Sequence, residues 1–168
     1  VVEAGRRLAS LPDMDEHDRL SVILSAMEDE VPLVREQAVR YAARYLEPAR
    51  LVRLVADDER AVLRNSALPA LEQQGPYAVA PLEQVLAGPV DAELAMFTLQ
   101  VLARIAHQAS APAVLPFVRH ENANVAQAAI EALGAFRATQ AVPDLVALMG
   151  GNLWLQLASV NALGEIGD

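Results

Sequence analysis

Three histidines, His17, His107 and His120, are the side chains in this sequence best suited to bind a metal or move a proton near neutral pH. They fall in different segments, with no HxxxH or HExxH spacing to bring two imidazoles onto one helix face. His120 is followed by Glu121, a pair that offers nitrogen and oxygen to one ion, but the pair stands alone and precedes a helix rather than lying within it. The acidic run DMDEHD, Asp13 to Asp18, is rich in oxygen ligands for Ca²⁺, yet it lacks the glycine and the distant bidentate glutamate of an EF-hand loop. Placed after Leu11-Pro12, these acids suit a helix start, where they accept from free amides and complement the helix dipole. Cysteine is absent, which removes thiolate metal sites, disulfides and cysteine nucleophiles. Ser10, Ser21, Ser25, Ser66, Ser110, Ser159, Thr98 and Thr139 include no GxSxG-like elbow, and no glycine-rich phosphate loop is present. The expectation is a chain with no catalytic residue, no cofactor and no metal.

What does recur is structural. VAQAAIEALGAF, Val125 to Phe136, returns thirty residues later as LQLASVNALGEIGD, Leu155 to Asp168. A fixed period near thirty marks a stack of one supersecondary unit. Apolar openers at Val34, Leu63, Leu94, Val125 and Leu155 are 29, 31, 31 and 30 residues apart. Each is followed by a small or apolar cluster: YAARY (from Tyr41), ALEQQ (from Ala70), VLARI (from Val101), ALGAF (from Ala132) and ALGEI (from Ala162). A half-match, AGRRLASL from Ala4 to Leu11, adds one unit in front.

Within a unit the apolar spacing is helical twice over. Val125, Ala129, Ala132, Leu133 and Phe136 share one helix face, and after a break Val142, Leu145, Val146 and Leu148 form a second set. Each set is too short to be a stable helix alone, so each must pack on a neighbour. Pro48, Pro76, Pro112 and Pro143 stand at the starts of second helices, and Pro32 and Pro89 at the starts of two first helices. Asp57 and Asp58, Asn122 and Asn124, and Asn152 after Gly150 and Gly151 are the expected caps between units. Pro69 inside a first helix is expected to kink or shorten it. The fold class is therefore all-α, a right-handed α-α superhelix of about five and a half antiparallel helix pairs. One domain over residues 1–168 is divided into units near 1–30, 31–58, 59–88, 89–121, 122–151 and an incomplete 152–168.

ALGAF with AVPDLVALM (Ala141 to Met149), and ALGEIGD, resemble HEAT repeats of the short class named after the phycocyanobilin lyases. That unit reads roughly VRxxAAxALGxIGD, then AVPxLxxLL. Val34-Arg35 and Leu63-Arg64 match its opening pair, and Ala162 to Asp168 its central run. The resemblance covers nearly the whole chain and is specific for fold rather than activity. The second and third units depart most, with Glu72 and Ala103 in the place of the usual glycine. It implies that Arg35 and Arg64 belong to a ladder between units, paired with acids such as Asp29, Glu30, Asp57, Asp58 and Glu59. His120-Glu121 is similar to the His-Glu pairs of deoxyhypusine hydroxylase, a di-iron enzyme on the same kind of repeat. That enzyme needs several converging pairs, so a surface or interunit role is expected for the single pair here.

Composition narrows the partner class. The chain is 54% hydrophobic but only 4% aromatic, so its core is expected to be built of Ala, Leu and Val. All thirteen cations are arginine, ten of them crowded from Arg6 to Arg64 with only Arg104, Arg119 and Arg137 beyond, and an anionic partner site on that half is the alternative to pairing with neighbouring acids. With a net charge of −9 and a pI near 4.8, a generic nucleic-acid surface is not expected. No apolar run is long enough for a membrane span, and no secretion leader is visible, so a cytoplasmic location is the expectation. Second helices line the concave face of such stacks, and their outward positions include Val22, Ser25, Arg53, Ala56, Pro81, Gln84, Ala113, Pro116, Asp144 and Ala147. That small, mildly apolar column suits an extended or helical protein segment. Arg53, Gln84, Arg119, Asp144 and Trp154 are the candidate partner-binding residues. Trp154 either packs against Met149 and Leu153 or stands exposed as an anchor.

The sequence starts without an initiator methionine and ends after a first helix, so it reads as an internal piece of a longer solenoid. The face bearing Leu155, Leu157, Val160 and Leu163 is expected to be partly uncovered and to support self-association. The function expected is a non-catalytic protein-interaction scaffold, one arm of a multidomain bacterial protein. The alternative, implied by the resemblance, is a phycobilin lyase-like subunit or a chaperone for chromophore or protein.

Overall fold

A computed structural model of the protein describes residues 2–57, 59–150 and 152–167. Every regular element among these residues is a helix, either α or 3-10. The α-helices are α1 (Val2–Ala9), α2 (Glu16–Met27), α3 (Pro32–Tyr45), α4 (Pro48–Val55), α5 (Ala61–Gln74) and α6 (Pro76–Ala87). They continue with α7 (Ala92–Ile105), α8 (Ala111–Val114), α9 (Ala123–Ala135), α10 (Val142–Ala147) and α11 (Leu153–Ile166). The chain forms two compact units, one ending at Ala78 and the other beginning at Val79.

The first helices α3, α5, α7 and α11 are each 14 residues long and α9 is 13, so the repeat is kept in helix length as well as in sequence. The starts of α7, α9 and α11 are set by short polar side chains, whereas Val31 and Arg60 precede α3 and α5 without a side-chain cap. Asp91 accepts from Leu94 N at 2.9 Å, Asn122 from Asn124 N at 2.9 Å, and Asn152 from Trp154 N at 2.8 Å, each satisfying an amide that the first turn leaves unpaired. Asn124 is thus the recipient of a cap, not its donor of oxygen, and Asp91 caps α7 without having been singled out in the sequence. Asp57 accepts from Glu59 N ahead of α5, while Asp58 and Gly151 lie outside the described residues.

Pro32, Pro48 and Pro76 are the first residues of α3, α4 and α6, and Pro112 and Pro143 the second residues of α8 and α10. Pro89 differs from expectation and lies in the link before α7. Pro69 does not shorten α5, which keeps its full length. The bond it cannot make would go to the Asn65 carbonyl, and Asn65 is exposed, so water can supply the donor. Pro116 has a larger effect. It cannot donate to the Pro112 carbonyl, and the helix tightens into a 3-10 segment over Leu115–Arg119.

First helices also end alike. Gly75, Ala106, Arg137 and Gly167 have positive φ, and they follow α5, α7, α9 and α11 at intervals of 31, 31 and 30 residues. Ala106 and Gly167 are left-handed, whereas Gly75 has a ψ of −129° and lies outside that region; positive φ suits glycine, and Ala106 and Arg137 carry a Cβ that strains it. α3 ends differently, with Leu46 extended.

In the first unit α3 packs against α2 and α5, and polar side chains tie different repeats together by reaching carbonyls near helix ends. Ser66 donates to Met27 O at 2.9 Å, and Gln74 Nε2 donates to Leu46 O at 2.7 Å and Ala43 O at 3.2 Å. Arg35 corrects the expected carboxylate ladder: its guanidinium donates to the Asp29 and Glu30 carbonyls at 2.6 and 3.0 Å. The Asp29 carboxylate is occupied by Val31 N at 2.8 Å, which leaves the backbone oxygen for the arginine. An arginine–acid bridge does form between Arg60 and Glu28, in the bidentate geometry that guanidinium favours. The hydrogen bond and charge of Glu28 raise the Arg60 pKa above its ordinary value.

In the second unit α9 is the centre, packed against α7, α8 and α11. Eight of its 13 residues are buried, so it is covered on nearly every side, and most of those eight are alanine or glycine. Gly134 marks the tightest approach. A Cβ there would stand 2.9 Å from Ala162 Cα, 3.0 Å from Ala162 Cβ and 2.6 Å from Glu165 Oε2. Gly164, the equivalent residue of α11, has nothing within 4 Å of such a Cβ.

Both glycines lie inside helices, so replacing either by alanine gains the same helix propensity and differs only in packing. Gly134→Ala is expected to be less stable than Gly164→Ala by about 1–3 kcal/mol, the usual cost of overpacking. Urea unfolding of the two variants side by side measures that difference. Ala106→Gly should stabilise by about 1 kcal/mol through relief of the left-handed turn; an unchanged or lower melting temperature would contradict it.

Candidate protein-binding surfaces

The chemically capable residues are occupied in local structure. Asp15 caps α2 by accepting from Asp18 N at 2.9 Å, so the acidic run begins a helix. His107 Nδ1 lies 3.4 Å from Ser110 Oγ, and His120 Nδ1 accepts from Asn122 N at 3.1 Å while its ring stacks on Phe117. The His120-Glu121 pair therefore belongs to the link that enters α9. Among the described residues no group of three or more His, Asp or Glu side chains converges in a way that could hold a metal ion.

Several arginines of the first half bond to its backbone or lie over its rings, though none of the described ones is buried. Arg19 donates to the carbonyls of Leu11 at 3.0 Å and Met14 at 2.8 Å, and its guanidinium lies 4.8 Å from the centre of the Tyr45 ring. Arg44 approaches the same ring at 5.4 Å, and Tyr41 stacks on it at 6.3 Å. Cation–π and stacking contacts thus fasten the end of α3 to α2.

The five candidate partner-binding residues fall into different places. Arg53 is exposed on α4 in the first unit. Gln84 is exposed on α6 in the second, where Arg119 and Asp144 join consecutive second helices through an ion pair of 3.0 Å. Around that pair Pro116 and Ala147 are exposed and Ala113 is half-buried, which leaves a small-residue surface with one neutralised charge pair. Trp154 is elsewhere, on a first helix, and it is 70% exposed rather than packed away.

Trp154 stands at a groove of about 460 Å³ on the first-helix side of the second unit. Ala135, Ala158 and Ala162 line it as small residues, with Leu157 beside the indole and Glu131 and Glu165 among its polar lining. Leu157 and Val160 are 55% and 49% exposed, whereas Leu155 and Leu163 of the same helix are half-buried. Spacing alone did not single out the groove, because it needs α9 and α11 side by side. A comparable groove of about 480 Å³ in the first unit is lined by Val62, Glu28 and Glu36, among others. No described helix is long and apolar enough to cross a membrane.

Stacked helix pairs of constant period, with small residues between first helices, define the class as an all-α superhelix of helical repeats. The HEAT repeats family matches residues 79–164, half of the sequence, and the chain belongs to that family. Among curated proteins no sequence matches it. Solved structures do. A designed armadillo repeat protein in complex with the peptide (KR)4 is similar with a TM-score of 0.57 at 16% identity, over 96% of this chain and 91% of that one. An engineered protein is similar with a TM-score of 0.55 at 18% identity, over 98% and 91%. A further designed armadillo repeat protein has a TM-score of 0.53 at 16% identity, over 95% and 87%. These likenesses are of fold.

Two measurements check the geometry. Trp154 emission should be that of a hydrated indole and be quenched readily by acrylamide; a blue-shifted, quencher-protected signal in the dilute monomer would contradict its exposure. A double-mutant cycle on Arg119→Ala and Asp144→Ala should give a coupling of about 0.2–1 kcal/mol that fades with salt, as for exposed ion pairs.

Proposed function

We propose that this protein is a non-catalytic interaction scaffold whose second-helix face holds an extended or helical segment of another protein. The observation that carries the reading is the pair of small side chains Pro116 and Ala147, exposed on the 3-10 segment after α8 and on α10, with Ala113 half-buried, the Arg119–Asp144 pair on the same elements and Gln84 exposed on α6. Small exposed residues in register let a partner's backbone come close, while the flanking polar groups offer hydrogen bonds that set its position. The designed armadillo protein that holds the peptide (KR)4 supports the class of ligand, since the same kind of helix stack is there used to bind a peptide. On this reading the Arg119–Asp144 pair exchanges partners on binding: each group meets an opposite charge from the ligand.

Peptides selected from a random library on the immobilised chain supply the test. Ala147→Arg, which adds a bulky charge at an exposed position, should weaken the selected peptides about tenfold or more without moving the melting temperature. Selected peptides that bind this variant and Gln84→Ala unchanged would remove the second-helix face from the proposal. The resemblance to the phycocyanobilin-lyase class carries the alternative of a subunit handling bilins. It predicts a change in the absorption of an added bilin, and an unaltered spectrum would leave the scaffold reading alone.

A further inference from the structure

We infer that the groove between α9 and α11 is a second docking site, and that its partner is a helical protein segment with an apolar face and basic flanks. The inference rests on the interaction-scaffold reading for its class but uses first helices, not the second-helix column. Trp154 and Leu157, 70% and 55% exposed, line this groove, and Leu153 and Val160, 73% and 49% exposed, extend the apolar stripe along the same helix outside its lining. They recur at three- and four-residue intervals, the seam along which a second helix packs. Beside them Ala135, Ala158 and Ala162 line the groove as small residues, so a partner helix can lie close, as α9 already does against α11 at Gly134.

Charge selects the partner. The groove carries the carboxylates Glu131 and Glu165, with Glu131 held by Gln127 Nε2 at 2.8 Å, against the one cation of its lining, Arg104. From Val79 onward the sequence has eight acids and three arginines, and one of those arginines is already paired with Asp144. A second copy of the chain would bring the same acidic surface to the groove and be repelled, whereas lysine or arginine beside an apolar stripe is attracted. The first unit has a groove of similar size, but there Glu28 and Glu36 are already paired with Arg60 and Arg40. Val62, which occupies the position of Trp154 in its repeat, is 48% exposed in a groove that Glu28 and Glu36 also line.

Trp154 is the sole tryptophan, so tryptophan-free peptides report binding through its emission. Three model helices with the same leucine face, flanked by Arg, Gln or Glu, are titrated into the full chain at low salt. The Arg-flanked helix should shift the emission to the blue and bind at least about tenfold tighter than the Glu-flanked one. Removing both carboxylates, Glu131→Gln with Glu165→Gln, should weaken it about tenfold, and added salt should do the same. Leu157→Ser should weaken all three helices, while Ala147→Arg on the second-helix column should leave them unchanged, which separates this site from the one proposed above. Equal binding of the Glu-flanked helix, or no emission change with any of the three, overturns the inference. So does a concentration-dependent doubling of mass by light scattering that the Arg-flanked helix fails to reverse, because it would assign the face to a second copy.

Discussion

How close α9 can come to α11 governs the second unit. With aromatics scarce, the core is made of alanine, leucine and valine, and such side chains fill space only when helix axes lie near one another. The approach of Gly134 to Ala162 provides that nearness, and a single added methyl would meet backbone. α9 then has burial on nearly every side without a bulky residue other than Ile130 and Leu133. Because packing in such a stack stays between nearby repeats, no distant core can compensate for a loosened pair.

Polar groups follow from the same stacking. Bringing helix ends against one another strands carbonyls and amides that water would otherwise satisfy, and each must find a partner. Ser66, Gln74, Arg19 and Arg35 donate to carbonyls at or just beyond helix ends, while Asp91, Asn122 and Asn152 take amides at helix starts. Arg19, Arg35 and Arg60 of the first half are therefore structural fasteners, and Arg35 reaches carbonyls while the Asp29 carboxylate is committed to a turn. Among these bonds the one from Ser66 to Met27 O is buried, so its loss would leave a group dry.

Function on such a frame resides in what the stack leaves uncovered. Second helices present small side chains beside a neutralised ion pair, and the first-helix side of the second unit presents an aromatic–aliphatic stripe between acids. The two surfaces differ in chemistry, and different partners are proposed for them: a closely approaching backbone for the first, and for the second a helix met by apolar side chains with carboxylates beside them. Neither draws on the histidines or the acidic run, which serve turns and a helix start.

The thirty-residue period, the paired helices, the prolines at most helix starts and the small residues at first-helix contacts were legible in the sequence, because each is a local or periodic property of the chain. The glycine of ALGAF already signalled close approach. What that glycine touches, and why the matching Gly164 touches nothing, depended on neighbouring helices. Pro69 shows the limit from the other direction: its residue type argued for a shortened helix, but solvent at Asn65 removed the reason. Periodicity alone determined that this chain would stack helices and bury alanine, leucine and valine. Only the tertiary arrangement decided that Trp154 would stand open beside Leu157 over an alanine-lined groove, because exposure is a property of the helices that cover a face and not of the helix that bears it.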